Sequence, residues 1–142
     1  MRSIDNQAHT ETTSLIIKAY YNVYNKLGFG FLEKVYENAM LLEMKKFGLV
    51  CQKQTPIKVF YDDEKVGDYY ADIIVNDSVI IELKASEILA EEREAQLTNY
   101  LRATDIEVGL LLNFGKKPEF KRKVFSNNYK QNRLTEINPN LS

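Results

Sequence analysis

The feature that most limits the fold of this chain is an apolar hairpin that contains charged residues. The stretch "YADIIVNDSVIIELKA", residues 70–85, predicts two apolar strands joined by a short polar turn. Strands this apolar need cover from other elements of the fold. Three charged residues interrupt them, and charges are disfavoured in a sheet core: Asp72, Glu82 and Lys84. They are either solvent-exposed charges at the rim of the sheet or part of a functional site.

The length of the turn decides how these charges are arranged. If residues 76–78 form the loop, Asp72 falls opposite Glu82, with their Cβ atoms about 4.5–5.5 Å apart. Lys84 then points to the same face. A two-residue loop would instead move Glu82 to the other face. The longer loop is favoured because it gathers a uniformly apolar second face: Ile73, Val75, Val79, Ile81 and Leu83.

Two carboxylates placed this closely have a specific chemistry. They repel each other, so one must take up a proton or both must share a cation. Oxygen ligands suit Mg²⁺ (or Mn²⁺), which keeps several waters and can hold a phosphate as well. Lys84 could bind that phosphate or stabilise the charge of an attacking hydroxide. The pattern indicates phosphodiester hydrolysis, and a plain charge cluster at the sheet rim is the alternative.

Periodicity predicts the other elements. Helical spacing of apolar residues predicts helices over residues 10–26, 31–47 and 86–103. Strands are predicted at "LVCQKQ", "PIKVFYDD", "EKVGDYYADIIV" and the apolar run "EVGLLLNF". We interpret "EFKRKVF" as a short helix, with a last strand as the alternative. The apolar face predicted for the second helix consists of Leu32, Val35, Tyr36, Ala39, Leu42 and Phe47.

These elements predict an α/β (α+β) domain with a mixed sheet of about five strands. An antiparallel meander comes first, and the third helix is long enough to cross over to a parallel strand. The length of 142 residues suits one domain, expected over residues 11–133, with loose ends at residues 1–10 and 134–142.

Composition excludes several classes of protein. With 44% apolar and 27% charged residues, the chain is typical of soluble globular proteins, and no apolar run is long enough for a membrane helix. The N-terminus has no apolar segment typical of a secretory signal, and the lone Cys51 rules out a disulfide framework. We therefore expect a cytoplasmic protein without membrane contacts.

The net charge of −1 conceals a basic stretch over residues 116–133, in which Glu119 is the one acid. Such a stretch could meet a polyanion such as nucleic acid, with a solvated surface as the alternative.

The charged residues of the hairpin, together with motifs elsewhere in the sequence, resemble those of a known superfamily. Asp72 followed by Glu82-Leu83-Lys84 resembles the PD-(D/E)XK nuclease signature, although Tyr70-Ala71 replaces its proline. "GFLEKVY" fits the pattern G-x-x-E-x-x-Y of the GxxExxY family within that superfamily. "AQLTNYLRAT" and "VGLLLNFG" are similar to the later portion of that family, so the resemblance covers residues 10–125.

The resemblance implies a restriction-endonuclease-like three-layer fold and a metal-dependent nuclease. It makes Glu33 the acid of the first helix, Asp72 and Glu82 metal ligands, and Lys84 the catalytic lysine. Gln96 and Tyr100 match a Q-x-x-x-Y element of exonuclease-type members. Where we expect many relatives to have histidine before this glutamine, the chain has Arg93.

The roles that follow are expectations. Mg²⁺ (or Mn²⁺) would be held by Asp72, Glu82, the carbonyl of Leu83 and Glu33, with Gln96 orienting the cluster. Nucleic-acid contacts are expected from Tyr100, Arg93, Lys116, Lys117, Lys121 and Arg122. We expect DNA rather than RNA as the substrate, and a homodimer as the oligomeric state. The alternative function is a non-catalytic module that binds nucleic acid or protein and retains the nuclease fold.

Overall fold

The computed structural model describes the backbone of residues 2–130 and the side chains of residues 9–130. Within this range three helices and five strands follow one another as α1 (Arg2–Leu27), α2 (Glu33–Lys46), β1 (Cys51–Tyr61), β2 (Glu64–Val75), β3 (Val79–Lys84), α3 (Glu91–Arg102), β4 (Val108–Phe114) and β5 (Pro118–Val124). No helix in the described part of the chain is long and apolar enough to cross a membrane.

The strands form one sheet in the order β1-β2-β3-β4-β5. β3 and β4 run parallel and are joined through α3, while the other neighbouring strands are antiparallel. One face packs against α1 and α2 in an apolar cluster that includes Ile16, Tyr36 and Ile81. The other face packs against α3 through Ile80, Leu97 and Leu111. The predicted mixed sheet between helical layers is confirmed.

The hairpin of β2 and β3 has the predicted three-residue turn. Val75 pairs with Val79 and Ile73 with Ile81. The five residues of the apolar face all lie in the cluster formed with α1 and α2. Asp72, Glu82 and Lys84 are therefore directed to the α3 side of the sheet.

Three predicted elements need correction. "EFKRKVF" forms strand β5 and not a helix, because it pairs antiparallel with the whole of β4. α3 begins at Glu91 and not at residue 86. The N–H and the carbonyl of Ser86 are both hydrogen-bonded to the side chain of Asn113, so they do not form helical hydrogen bonds. α1 begins at Arg2 and not at residue 10, and no glycine or proline interrupts residues 2–10. The tail at residues 134–142 lies outside the described residues.

The buried face of α2 also differs from the prediction. Tyr36 is buried as expected, but its neighbours in the core are Met40 and Met44, while Leu32 and Leu42 are exposed. Apolar residues lie on both sides of this helix, so their spacing alone does not select the buried side. The ring of Tyr36 selects it by stacking on Phe114, with ring centroids 4.1 Å apart.

β1 and β2 extend beyond β3 as a hairpin arm, which we define as residues 55–71. The regular pairing is interrupted at Gln54, between the pairs Lys53–Ile73 and Thr55–Ala71, and Gln54 has a left-handed φ of 52°. Beyond this point the alternation of faces shifts, so that Ile57 and Ala71 join the α3 cluster although Ile73 belongs to the opposite one. The arm consequently curls over the α3 side of the sheet, next to the three charged residues.

Candidate active site

Asp72 and Glu82 bridge β2 and β3 where the backbone ladder between these strands ends. The N–H of Asp72 donates to Oε2 of Glu82 at 3.0 Å, and the N–H of Leu83 donates to Oδ2 of Asp72 at 2.8 Å. Each carboxylate thus takes the place of a ladder carbonyl. The other oxygen of each carboxylate accepts no hydrogen bond from residues 9–130, and it remains available to a ligand.

Burial is the main cause that raises the pKa of both acids. The pKa of Glu82 rises to about 8, first because the side chain is desolvated and then because of the charge of Asp72. Desolvation also raises the pKa of Asp72, opposed by the N–H of Leu83. The charge of Lys84 lowers the pKa of both acids but does not cancel the burial. This site would therefore be stabilised by added positive charge.

Glu33 reaches the same place from the helical layer. Its Oε2 accepts the N–H of Ala85 at 3.2 Å, and its charge raises the pKa of both Asp72 and Glu82. Tyr36 positions this part of the chain: its hydroxyl donates to the carbonyl of Gly28 at 2.7 Å and accepts the N–H of Phe31 at 3.2 Å. The tyrosine of "GFLEKVY" thereby holds the loop that leads into Glu33.

The backbone after Lys84 is held by β4. The Nδ2 of Asn113 donates to the carbonyl of Ser86 at 2.8 Å, and its Oδ1 accepts the N–H of Ser86 at 3.1 Å. Asn113 also pairs with Lys84 in the parallel ladder. A hydroxyl from α1, that of Tyr20, donates to the backbone carbonyl of Asn113. Sequence reasoning missed this positioning residue, although a polar side chain inside "VGLLLNF" is a usable signal.

Gly115 permits this close approach, and replacing it with alanine should disturb the site. A Cβ there would lie 2.5 Å from the carbonyl oxygen of Ser86 and 3.0 Å from Nδ2 of Asn113. We expect Gly115→Ala to lower the free energy of unfolding by about 1–3 kcal/mol, measured by urea denaturation. Gly67→Ala is the matched control, because its Cβ would meet nothing closer than 3.8 Å. Equal stability of both variants would contradict this account.

Glu37 is a further acid that sequence reasoning missed. It lies one helical turn after Glu33, is 6% exposed, and its charge raises the pKa of Asp72. Its Oε1 is 3.5 Å from Nζ of Lys34, whereas its buried Oε2 has no hydrogen-bond partner among the described residues. The spacing of four from Glu33 could have identified it, since residues i and i+4 share a helix face.

Of the predicted residues on α3, Tyr100 is near enough to the acids for the charges of Glu82 and Asp72 to act on its hydroxyl. It is 5% exposed, and its pKa is raised to about 12 by burial and then by the charge of Glu82. Arg93 is exposed, and its charge lowers the pKa of Tyr100, so it also lies nearby. Gln96 lines a groove together with Tyr100 but forms no hydrogen bond with Asp72 or Glu82. A role for Gln96 in orienting the acids stays a prediction.

The predicted basic residues do not form one surface. Lys121 lies on the α3 face in the same cross-sheet row as Glu82, but Arg122 pairs with Leu110 and points to the opposite face. Lys116 and Lys117 occupy the turn after β4, at the end of the sheet that carries Lys84. Lys116 is 3.4 Å from a carboxylate oxygen of Glu87. The positive charge near the acids is thus smaller than the sequence suggests.

Comparisons with known proteins show the superfamily of the chain and the type of its fold. Residues 10–123 match the family model of the PD-(D/E)XK nuclease superfamily. The chain belongs to the PD-(D/E)XK nuclease superfamily. No curated protein matches the chain significantly. The fold is similar to that of the crystal structure of SSO0001, with a TM-score of 0.54 and 16% identity over 73% of this chain. The match covers 56% of SSO0001, and at this identity it shows the restriction-endonuclease-like fold alone.

PD-(D/E)XK nucleases generally depend on a divalent metal, and the residues of this site fit one. Their donors are carboxylate oxygens, two of the acids have raised pKa values, and the buried Oε2 of Glu37 has no hydrogen-bond partner within the described part of the chain. Among the described residues, no three acidic, cysteine or histidine side chains are already gathered for a metal ion. Mg²⁺ needs only one or two carboxylates when waters and phosphate oxygens complete its shell, so Asp72 and Glu82 suffice.

Proposed function

We propose that this protein is a divalent-metal-dependent nuclease that hydrolyses phosphodiester bonds in nucleic acid. The observation that carries the proposal is the pair formed by half-buried Asp72 and buried Glu82, whose pKa values are raised, next to the end of β3 that carries Lys84. Membership of the nuclease superfamily supports it. DNA is the substrate that we propose ahead of RNA.

The residues of the site have separate tasks in this mechanism. Asp72 and Glu82 each offer a carboxylate oxygen to the cation, and the carbonyl of Leu83 between Glu82 and Lys84 would supply a third. A bound Mg²⁺ would polarise the phosphate and lower the pKa of a coordinated water. The ammonium group of Lys84 would stabilise the negative charge that grows on the phosphate during attack.

Two further acids support this arrangement. Glu33 holds the N–H of Ala85, and with it the backbone directly after Lys84. Through this bond Glu33 acts as a positioning residue in the proposed mechanism, and it could also contact the cation. Glu37 contributes a buried negative charge that acts on Asp72, which increases the electrostatic advantage of binding a cation.

A cleavage screen tests the proposal directly. Supercoiled, linear, branched and single-stranded DNA and RNA would be incubated with Mg²⁺ or Mn²⁺, and with chelator as the control. We expect metal-dependent cleavage of at least one substrate. Absence of cleavage of every substrate would contradict the proposal.

We also propose a homodimer, because a domain of this size covers only part of a duplex. Light scattering would test it.

Cation binding should be measurable without any substrate. At pH 7 Glu82, with a pKa of about 8, is mostly protonated, so binding Mg²⁺ should release about one proton. Calorimetry in buffers of different ionisation enthalpy would count that proton. We expect Glu82→Gln to weaken binding at least tenfold and to abolish the proton release, while Glu64→Gln, at the exposed tip of the hairpin arm, should change neither.

The alternative is a non-catalytic module that retains the nuclease fold. One observation favours it: within the described residues no set of three metal-ligating side chains is preassembled. If calorimetry detects neither Mg²⁺ nor Mn²⁺ binding, while nucleic acid still binds, this alternative replaces the nuclease.

A further inference from the structure

A groove next to the candidate active site lies between the hairpin arm and α3. Its volume is about 540 Å³. Val59 and Tyr69 line it from the arm, and Gln96, Asn99 and Tyr100 line it from α3. The rings of Tyr69 and Tyr100 meet at the wall, with centroids 5.5 Å apart and planes inclined by 48°. The groove exists because the regular pairing is interrupted at Gln54 and the arm curls over the α3 side of the sheet.

The groove is continuous with the site of the proposed chemistry. Tyr100 forms part of its wall, and the charges of Glu82 and Asp72 both act on the hydroxyl of Tyr100. Asp72 follows Tyr69 on β2 by three residues, directly where the arm leaves the sheet. A strand whose phosphate lies against Asp72 and Glu82 would therefore place a neighbouring nucleotide at this groove.

The chemistry of the groove suits a neutral aromatic ring with polar edges. Tyrosine faces offer stacking surface, and Tyr69 is 46% exposed, so part of its ring is open to a ligand. The amide of Gln96 has no hydrogen-bond partner among the described residues, and an amide can donate to and accept from the edge of a base. Glu92 and Arg102 line the groove with opposite charges, which leaves it close to neutral overall.

The surrounding charges fit the phosphates that such a base carries. Arg93 lies near Tyr100, since its charge lowers the pKa of that residue, and Lys84 acts in the same way on Glu82. A near-neutral groove flanked by these cations matches a neutral base joined to charged phosphates.

We propose that this groove binds an unpaired base of the substrate strand, which makes single-stranded nucleic acid the preferred substrate class. A base inside a duplex is covered on both faces by its neighbours and must leave the stack before it can lie on a protein ring. A single strand presents such bases without that cost. The placement of a phosphate at the acids and of the next base at the groove rests on the proposed nuclease function. Binding at the groove can nevertheless be tested without any cleavage.

Fluorescence anisotropy provides the test, with Ca²⁺ in place of Mg²⁺ to separate binding from cleavage. The probes are one labelled sequence as single-stranded DNA, single-stranded RNA and blunt duplex DNA. We expect a single strand to bind more tightly than the duplex, and Tyr69→Ala to weaken single-strand binding roughly tenfold, as expected for loss of one stacked base. Comparing the DNA and RNA probes identifies which strand uses the groove.

Two control variants isolate the role of the ring. Tyr69→Phe keeps the aromatic face and should bind as well as the parent. Tyr61→Ala removes an equally large ring from the arm tip, where Tyr61 is 69% exposed and lies outside the groove, and it should leave binding unchanged. Because the side chains of Tyr69 and Tyr61 are 46% and 69% exposed to solvent, neither change should prevent folding.

Three results would overturn the inference: unchanged single-strand binding by Tyr69→Ala, a duplex that binds as tightly as either single strand, or no binding of any probe by the parent. These outcomes are separate from failure of the proposed nuclease. Cleavage that needs Lys84 but ignores Tyr69 would reject the groove alone. Binding that needs Tyr69 without cleavage of any substrate would reject the nuclease and keep the groove.

Discussion

Replacing Lys84 with alanine should reduce phosphodiester cleavage at least about 100-fold, because charge stabilisation by one preorganised donor is typically worth that much. Lys84 is partly exposed, and no salt bridge joins it to another residue of the described chain, so its removal should not unfold the protein. Initial rates on the substrate found by the cleavage screen give the effect. Melting temperatures of parent and variant exclude loss of fold as its cause.

Lys45→Ala is the matched control for this experiment. Lys45 is an exposed lysine at the far end of α2, away from the charged end of β3. We expect the Lys45 variant to retain the parent rate. If the Lys84 variant cleaves as well as the Lys45 variant, Lys84 does not take part in the reaction. Asp72→Asn should lose activity to a similar extent, since groups that act together at one site are each needed.

Replacing Glu82 with glutamine should stabilise the protein above pH 8 by roughly 3–5 kcal/mol. The pKa of Glu82 rises from 4.5 to about 8 on folding. Between these two pH values the folded protein binds a proton that the unfolded chain has lost, so stability falls as pH rises. Below pH 4.5 both states are protonated and the difference vanishes; above pH 8 both are ionised and the full penalty remains. Glutamine removes this contribution and can still accept the N–H of Asp72.

Urea denaturation at a series of pH values would measure this difference. Stability of the parent minus that of Glu82→Gln should be close to zero near pH 4 and should become more negative up to pH 8. Glu64→Gln, at the exposed arm tip, should follow the parent. A constant difference across the series would contradict a protonated Glu82 in the folded state.

The same variants separate an active site from a plain charge cluster. A cluster at the sheet rim also predicts more stable Asp72→Asn and Glu82→Gln proteins, because repulsion is relieved in both. Only a nuclease loses cleavage and cation binding at the same time. Stability without loss of any nucleic-acid activity would therefore favour the charge cluster.

Local patterns predicted much of the candidate site. The pairing of Val75 with Val79 followed from the alternation of apolar residues, and it placed Asp72 and Glu82 on one side of the sheet. Alternation failed at β5, whose mixture of basic and apolar residues also suits a helix. Its pairing with β4 decided between the two, since an edge strand gains its hydrogen bonds only from a neighbour. The buried face of α2 was predicted wrongly for a similar reason. Apolar residues lie on both sides of this helix, and the stacking of Tyr36 on Phe114 selects the buried side.

The sequence by itself determined the mixed α/β architecture and the register that joins two acids and a lysine, because strand alternation and turn length are local properties. It could not determine that Glu33 and Glu37 lie near Asp72, or that the side chain of Asn113 is hydrogen-bonded to the backbone of Ser86. Nor could it determine that the arm curls over α3 to form the groove. These features depend on contacts between residues far apart in the chain. Only the packing of α2, β4 and α3 around one sheet brings them together, and that packing converts a charged hairpin into a candidate active site.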